Sequence, residues 1–343
     1  MNDPAGSDPV TAGRLRVVIV HHRGQGLLAD CLSSLLQSSD GPTFDVVVVT
    51  NGCDEELPGV VYAERRIHVL ECREPVGFAK ANNAGVAWAR ERLGPESFLL
   101  FLNNDTRVEP DALPRLLAVM KENPELGALG PRLMVLGAES FVNSLGLNLS
   151  TIGEAWDEGI GRPLSEYEPL EHLRRVVAVT GSALCVRSSV FDTVGGWEEL
   201  YGYYYEDLDL CLKIRSAGWE VAVVTDAVVH HSISATAPNP FKRFMSLRNR
   251  FLLLLRHWPL PLLARTVVKV VSAEAAIWLR RLLIGAREDA RLQLRSWLSA
   301  LRLAPRALGA RLGTGKARGW SELLCQPGSV PEIILPHRVE AEG

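Results

Sequence analysis

The 343-residue chain is 47% apolar and 22% charged, which excludes a wholly disordered or collagen-like polymer and leaves room for about two domains. Its six cysteines (Cys31, Cys53, Cys72, Cys185, Cys211, Cys325) show no C-x-x-C spacing and no clustering with histidine, which argues against a structural zinc site or a disulfide scaffold and for reduced thiols in the cytosol. The net charge of −3 hides a split: residues 241–320 hold 17 Lys/Arg against 3 Asp/Glu, a net of +14, and the remainder is net −17.

Residues 1–13 are polar and small, lack the basic-then-apolar pattern of a signal peptide, and are expected to form a disordered tail. Leu15–Val20 reads as a buried parallel strand, Leu27–Gln37 as a helix, Phe44–Val49 and Ile67–Leu70 as strands, Ala79–Leu93 as a helix, Phe98–Leu102 as a strand and Asp111–Lys121 as a helix. This alternation predicts an α/β fold with an open, mostly parallel sheet flanked by helices and right-handed crossovers. Ligands of such a sheet sit beyond the strands' carboxyl ends, here after Val20, Val49, Leu70 and Leu102. Residues 128–175, rich in Gly and polar side chains, predict short strands and a mobile loop. Val176–Val186 reads as strand on both sides of Gly181, Phe191–Gly195 as a short helix, Tyr205–Ala217 as a helix ended by Gly218, and Glu220–Thr225 with Val228–His231 as strand. From Pro240 the pattern is wholly helical, and Arg265, Lys269, Arg280, Arg281, Arg287, Arg291, Arg295, Arg302, Arg306 and Arg311 recur among Leu, Val, Ile and Trp, a basic amphipathic pattern suited to an anionic bilayer, to helix packing onto the body or to a dimer interface. No run reaches the roughly 18 uncharged apolar residues of a spanning helix. No nucleic-acid-reading motif accompanies the charge, so nucleic acid is not an expected partner.

Several short motifs are candidates for chemistry. Gly24-Gln-Gly26-Leu-Leu-Ala29 satisfies the dinucleotide pattern G-x-G-x-x-A, but no acid stands at Val49-Thr50-Asn51 to hold a ribose, and glycines of a strand-to-helix turn are the simpler account. Asn103-Asn104-Asp105-Thr106 caps an apolar strand; Asp105 suits a Mg²⁺ or Mn²⁺ ligand, and the same residues also suit Asx geometry at a strand end. Lys80 near a helix start suits a phosphate contact. Asn82 and Asn83 are poor helix formers that invite either another role or ordinary helix N-terminal chemistry. After Tyr203–Tyr205, Glu206, Asp207 and Asp209 oppose a helix dipole, and a carboxylate walled by aromatic rings is equally placed as a general base; Asp209 with Lys213 at i+4 reads as a structural pair. His230-His231 ends a strand with one ring on each side, as core residues or with one completing a metal shell with Asp105.

Taken in order from Leu15 to Pro259, nine segments resemble the family 2 glycosyltransferases of GT-A fold, closest to the rhamnosyltransferase-like branch. They are Val17-Val-Ile-Val20, Val48-Val-Thr-Asn-Gly52, Val76-Gly-Phe-Ala-Lys-Ala-Asn-Asn83, Phe101-Leu-Asn-Asn-Asp-Thr106, Thr180-Gly-Ser-Ala183, Val194-Gly-Gly-Trp197, Tyr205-Glu-Asp-Leu-Asp209, His230-His231 and Arg248-Asn-Arg250. The resemblance implies Asp105 as metal ligand of a DxD-type motif whose first acid is replaced by Asn103, with Asn104 between them. It implies His230 as the later metal- or diphosphate-contacting histidine, and Asp207 as general base with Glu206 as runner-up. Lys80, Asn82 and Asn83 would line the nucleotide-sugar cleft beside Thr50 and Asn51, and Gly181 and Ser182 the acceptor side. Thr50 stands where the family usually has an Asp that reads the nucleobase, so base identity is open.

The expectation is therefore a metal-dependent, inverting glycosyltransferase using Mg²⁺ or Mn²⁺. It would move a sugar, with rhamnose from dTDP-rhamnose the first expectation, from a nucleotide diphosphate to a hydroxyl of a glycan or polyprenyl-diphosphate-linked acceptor in polysaccharide or cell-wall synthesis. The implied organisation is a tail (1–13), a GT-A catalytic domain (14–240), a basic helical region (241–320) and a C-terminal tail (321–343), cytoplasmic and peripheral on the inner face of the cell membrane. A catalytically silent GT-A scaffold and a nucleotide-dependent oxidoreductase are the alternatives.

Overall fold

The computed structural model describes residues 13–38, 43–232, 240–311 and 324–325. Apart from Gly13 and residues 324–325, the expected tails lie outside them, as does the end of the basic region beyond 311. The expected α/β architecture is present. Strands β1 (Leu15–His21), β2 (Phe44–Asn51), β3 (Ile67–Cys72) and β4 (Phe98–Asn103) alternate with helices α1 (Gln25–Leu36), α2 (Val60–Ala63) and α3 (Phe78–Leu93). A short β5 (Thr106–Val108) and α4 (Ala112–Glu122) lead to β6 (Leu126–Val135), β7 (Ala138–Ser144), β8 (Leu147–Leu149), β9 (Ala155–Asp157), β10 (Leu173–Arg175) and β11 (Ala183–Arg187). Helices α5 (Ser188–Thr193) and α6 (Glu206–Ser216), strand β12 (Glu220–His231), and helices α7 (Pro240–His257), α8 (Leu260–Leu283) and α9 (Arg287–Gly309) complete the chain.

Ten strands form one sheet, in the path β10-β12-β6-β11-β4-β1-β2-β3 with β5 on β12 and β7 on β6. The pairs β1–β2, β1–β4, β2–β3 and β6–β12 are parallel, and β11 is antiparallel to both β4 and β6. Alternation along β1 explains the layers. Val17 and Ile19 pack with Leu28, Leu32, Leu113 and Leu116 of α1 and α4 on one face, and Val18 packs with Val86, Phe191 and Leu252 of α3, α5 and α7 on the other.

Two expectations need correcting. Residues 126–135 form a buried ten-residue strand where only short strands and a mobile loop are expected. Gly127, Gly130 and Pro131 break the apolar pattern. Both glycines are steric necessities, because a Cβ on Gly127 would lie 2.6 Å from Ile214 and one on Gly130 2.2 Å from Val179. Of the predicted strand 176–186 only the part after Gly181 pairs as one; before it the chain makes a single bridge, Ala178 to Leu147, and then turns at Gly181–Ser182. Conversely, Glu220–His231 is one strand, its two predicted halves joined through a register shift between Val224 and Val228.

Candidate active site

Parallel register sets the polar strand ends side by side. His21 is opposite Thr50 and Val20 opposite Asn103, so the segments after β1, β2 and β4 share one edge, where an open α/β sheet binds its ligands. From Asn103 a chain of contacts crosses the sheet. Asp105 Oδ1 lies 3.3 Å from His231 Nε2, and that nitrogen is 3.3 Å from Asn103 Nδ2. Asn103 donates its backbone N–H to Ser182 O at 2.9 Å and its amide to Ser182 Oγ at 3.4 Å. The neighbouring Gly181 N–H donates to Asp207 Oδ2 at 3.1 Å. Asp105 and Asp207, far apart in sequence, are thus linked through one turn and two side chains.

His231, not His230, is the histidine beside Asp105. Consecutive strand residues point to opposite faces. His230 is 5% exposed and turns to the other side, where its Nε2 lies 2.7 Å from Glu109 Oε1 and it lines a separate cavity with Arg132 and Met134. The pairing expected between Asp105 and His230 is therefore made one residue later.

The residues present suit a cation shared with a substrate. Asp105 Oδ1 is buried and accepts no hydrogen bond, and the His231 Nε2 nitrogen faces it. Among the described residues no three His, Cys, Asp or Glu side chains converge. Such a half-built set fits a hard divalent ion whose remaining ligands are phosphate and water oxygens.

Asp207 is presented by a strained turn. Tyr204 and Tyr205 both have left-handed backbones (φ 67° and 75°), each costing about 1–3 kcal/mol unless the surroundings enforce it. The enforcement comes from α7. Asn249 Nδ2 donates to the carbonyls of Tyr201, Tyr203 and Tyr204 at 3.0, 2.8 and 2.7 Å, Arg248 donates to Tyr201 O, and Tyr205 Oη donates to Gly153 O at 3.1 Å. Asn249→Ala should relax this turn, lowering stability by about 1–3 kcal/mol through the unmade bonds and lowering kcat more than it raises KM. Denaturant midpoints and steady-state kinetics check this, and unchanged kcat would contradict it.

Burial pushes the Asp207 carboxyl up, against the amide hydrogen bonds of Gly181 and Leu208. Glu206 is pushed well above its usual range, by burial and then by the Asp207 charge, and its Oε2 has no partner. Asp209 differs. Burial works to raise it, yet the hydrogen bond and charge of His257 with the charges of Lys213 and Arg256 hold it at about 2. It is fully buried, contacting His257 Nε2 and Arg256 Nε at 2.7 Å each and Tyr201 Oη at 3.1 Å, with Lys213 Nζ at 3.6 Å, so the structural pair with Lys213 is present and larger than expected.

On the nucleotide side, Thr50 Oγ1 accepts from Cys72 N–H at 3.1 Å. Asn51 accepts from Val76 N–H at 2.7 Å and donates to Tyr203 Oη at 3.3 Å. Lys80 is exposed near the start of α3. Asn82 donates to Phe78 O, leaving its buried Oδ1 without a partner, whereas both ends of the Asn83 amide are taken by the Trp197 backbone. Asn104 Nδ2 meets His21 Nδ1 at 3.0 Å and donates to Arg23 O at 2.8 Å. At the Gly24 turn the free N–H groups of Gly24 and Gln25 are taken by Glu55 Oε2, so a side chain occupies the place a pyrophosphate would need.

Three residues that the sequence reading passed over belong here: His21, Asn249 and Asp157. His21 is fully buried with Nε2 unpartnered, and burial lowers its pKa, with Glu55 opposing. The His21-His22 pair after an apolar run was the available signal. Asp157 on β9 lies within electrostatic reach of Asp207, His231 and Lys242. Burial pushes its carboxyl up to about 6 against a hydrogen bond to Ser144, and nothing in the Gly-rich stretch around it signalled this.

Residues 16–154 match the family model "Glycosyl transferase family 2", and residues 98–304, more than half of the chain, match "Glycosyl transferase family group 2". The chain belongs to the family 2 glycosyltransferases. This glycosyltransferase is 29% identical over 242 residues to the N-acetylglucosaminyl-diphospho-decaprenol L-rhamnosyltransferase of Mycobacterium tuberculosis, covering 66% of this chain and 78% of that protein. It is 25% identical over 248 residues to the dTDP-rhamnosyl transferase RfbF of Shigella flexneri, covering 69% and 80%. Within the family its sequence is rhamnosyltransferase-like. The fold aligns with TM-score 0.56 and 14% identity to S. aureus TarS 1-349 in complex with UDP-GlcNAc, covering 87% of this chain and 84% of TarS 1-349. It aligns equally, with TM-score 0.56 and 15% identity, to GalNAc-T7 with UDP, GalNAc and Mn²⁺, covering 70% of this chain and 47% of that one. At those identities the likeness establishes the fold, which is GT-A-like.

Proposed function

We propose that this glycosyltransferase transfers rhamnose from dTDP-rhamnose, with inversion, to a hydroxyl of a glycan or polyprenyl-diphosphate-linked acceptor in polysaccharide or cell-wall synthesis, at the inner face of the cell membrane. The contact chain from Asp105 through His231, Asn103 and Ser182 to Asp207 carries the reading, because it links a cation-suited pair to a carboxyl whose pKa burial raises. The names of two relatives, one a dTDP-rhamnosyl transferase and one acting on a decaprenyl diphosphate-linked sugar, support the donor and acceptor.

In this mechanism residues 14–240 form the catalytic unit. Asp207 accepts the proton of the acceptor hydroxyl as that oxygen bonds to the anomeric carbon, and the bond to the donor diphosphate breaks on the opposite face. Asp105 and His231 would hold Mg²⁺ or Mn²⁺, which when bound neutralises charge on the departing diphosphate. Gly181 and Ser182 fix the carboxyl of Asp207 relative to Asn103. Thr50 and Asn51 face the nucleobase; a neutral Thr50 hydrogen-bonds a pyrimidine without the discrimination an aspartate gives.

A calorimetric donor panel with and without Mn²⁺ tests this. The expected result is cation-dependent binding of dTDP-rhamnose, weakened in Asp105→Asn and His231→Ala by at least the roughly 10–100-fold that loss of an outer partner of a metal ligand costs, and nearly intact in His230→Ala. Binding that needs His230 and ignores His231, or no binding of any nucleotide sugar, would overturn it.

A further inference from the structure

Helices α8 and α9 form an antiparallel hairpin with a buried inner face. Val270 and Glu274 of α8 and Gln293 and Ala300 of α9 are buried. Gln293 donates to Glu274 Oε2 at 2.6 Å, and Trp278 Nε1 donates to Ala290 O at 3.1 Å. The outer face is unusual for a helix in water. Spacings of three and eight residues align Val268, Val271, Leu279 and Leu282 in one exposed stripe on α8, and spacings of four and three align Leu294, Leu298 and Leu301 in another on α9. At the tip, Leu283 and Ile284 are 79% and 67% exposed beside Gly285. No described helix is long and apolar enough to cross a membrane.

Cations flank both stripes: Arg265, Lys269 and Arg280 on α8, and Arg295, Arg302 and Arg306 on α9. All six are exposed and none forms an ion pair among the described residues. On the neighbouring α7, by contrast, Arg250 pairs with Glu274, Arg256 with Asp209 and Arg243 with Asp289. The acids of the hairpin are likewise committed, Glu288 to Arg291, Asp289 to Arg243 and Glu274 to Arg250. This charge pattern selects the occupant. A two-fold dimer brings a patch against its own copy, which would set these cations against one another without a carboxylate between them. An anionic leaflet offers apolar depth for the leucines and phosphates for the arginines.

We propose that the α8–α9 hairpin docks this enzyme on an anionic bilayer, with Leu279–Ile284 entering the headgroup–acyl boundary and the flanking cations on lipid phosphates. The proposal rests on the reading of a membrane-borne acceptor and gives it a physical surface. Arg243 Nη1 pairs with Asp289 Oδ1 at 2.9 Å, tying α9 to α7, the helix whose Asn249 holds the tyrosine turn before Asp207. Docking therefore fixes the crevice relative to the membrane.

Co-sedimentation of the full chain with vesicles of phosphatidylglycerol and phosphatidylcholine, against pure phosphatidylcholine, tests it. The wild type should bind the anionic vesicles at least about 100-fold more tightly. Each basic residue removed should weaken binding about five-fold, so Arg265→Gln/Arg280→Gln/Arg295→Gln together cost on the order of 100-fold. Leu279→Ser/Leu283→Ser/Ile284→Ser should weaken it by at least about 10-fold through lost apolar burial. dTDP-rhamnose binding, measured on the same samples without vesicles, should be unchanged; vesicle binding without donor binding would reject the proposed reaction and leave the docking surface standing. Equal affinity for both vesicle types, variants that bind like the wild type, or a wild-type dimer that the apolar variant renders monomeric in sedimentation velocity would overturn the proposal.

Discussion

Asp207→Asn is expected to slow sugar transfer by about 10²–10⁴-fold, the usual contribution of a positioned general base, while donor affinity stays within about twofold. The carboxyl is held by two backbone amides, Gly181 to Oδ2 at 3.1 Å and Leu208 to Oδ1 at 2.8 Å, and an asparagine oxygen can keep one of them, so the loss should lie in kcat. The pH dependence has a definite sign. A base works only when ionised, and burial raises the Asp207 pKa. Activity should therefore fall on acidification at a pH above the ordinary aspartate value, and Asp207→Asn should remove that acid limb. Glu206 is pushed well above its usual range by burial and then by the Asp207 charge, has no partner on Oε2, and so gives up its proton less readily than an ordinary glutamate. Glu206→Gln should therefore lower kcat by less than about 10²-fold, the lower end of what a positioned base supplies. Steady-state kinetics across pH decide between the two carboxyls, and a Glu206→Gln loss exceeding that of Asp207→Asn would reverse the assignment.

Two residues on, the same substitution should act on the fold. Asp209→Asn is expected to destabilise the protein by about 3–5 kcal/mol, the cost of removing one partner from a buried ionic cluster, since Lys213, Arg256 and His257 all lean on that carboxylate. Its pKa is depressed to about 2 from the ordinary aspartate value of 3.8. The stability it contributes is thus fully present above about pH 4 and is lost as pH falls toward 2. Denaturant midpoints of wild type and Asp209→Asn at pH 7 and pH 3 check both statements. The gap should narrow at the lower pH, and a loss below about 1 kcal/mol at pH 7 would deny Asp209 its anchoring role.

Legibility in the sequence followed local physics. The runs Leu15–Val20, Phe44–Val49 and Phe98–Leu102 are buried on both faces, so they read as strands without help from context, and their polar ends pointed to the correct edge. Strand β6 was illegible because Gly127 and Gly130 answer to Ile214 and Val179, neighbours distant in sequence. The histidine pair was half legible. Alternation guarantees opposite faces, but which face Asp105 approaches depends on β5 pairing with β12, His231 opposite Thr106. Asn83, a poor helix former that the resemblance places in the cleft, has its amide docked on the Trp197 backbone, a tertiary contact no spacing encodes. Asn249 stood within a recognised segment, Arg248-Asn-Arg250, but its function depends on the left-handed tyrosines, and backbone strain leaves no mark in composition.

A crystal structure with dTDP-rhamnose and Mn²⁺ tests the account most directly. It should place the diphosphate and the ion between Asp105 and His231, with the Asp207 carboxyl facing the side of the anomeric carbon opposite the diphosphate. A diphosphate seated elsewhere, or an ion held by His230 and Glu109, would contradict it.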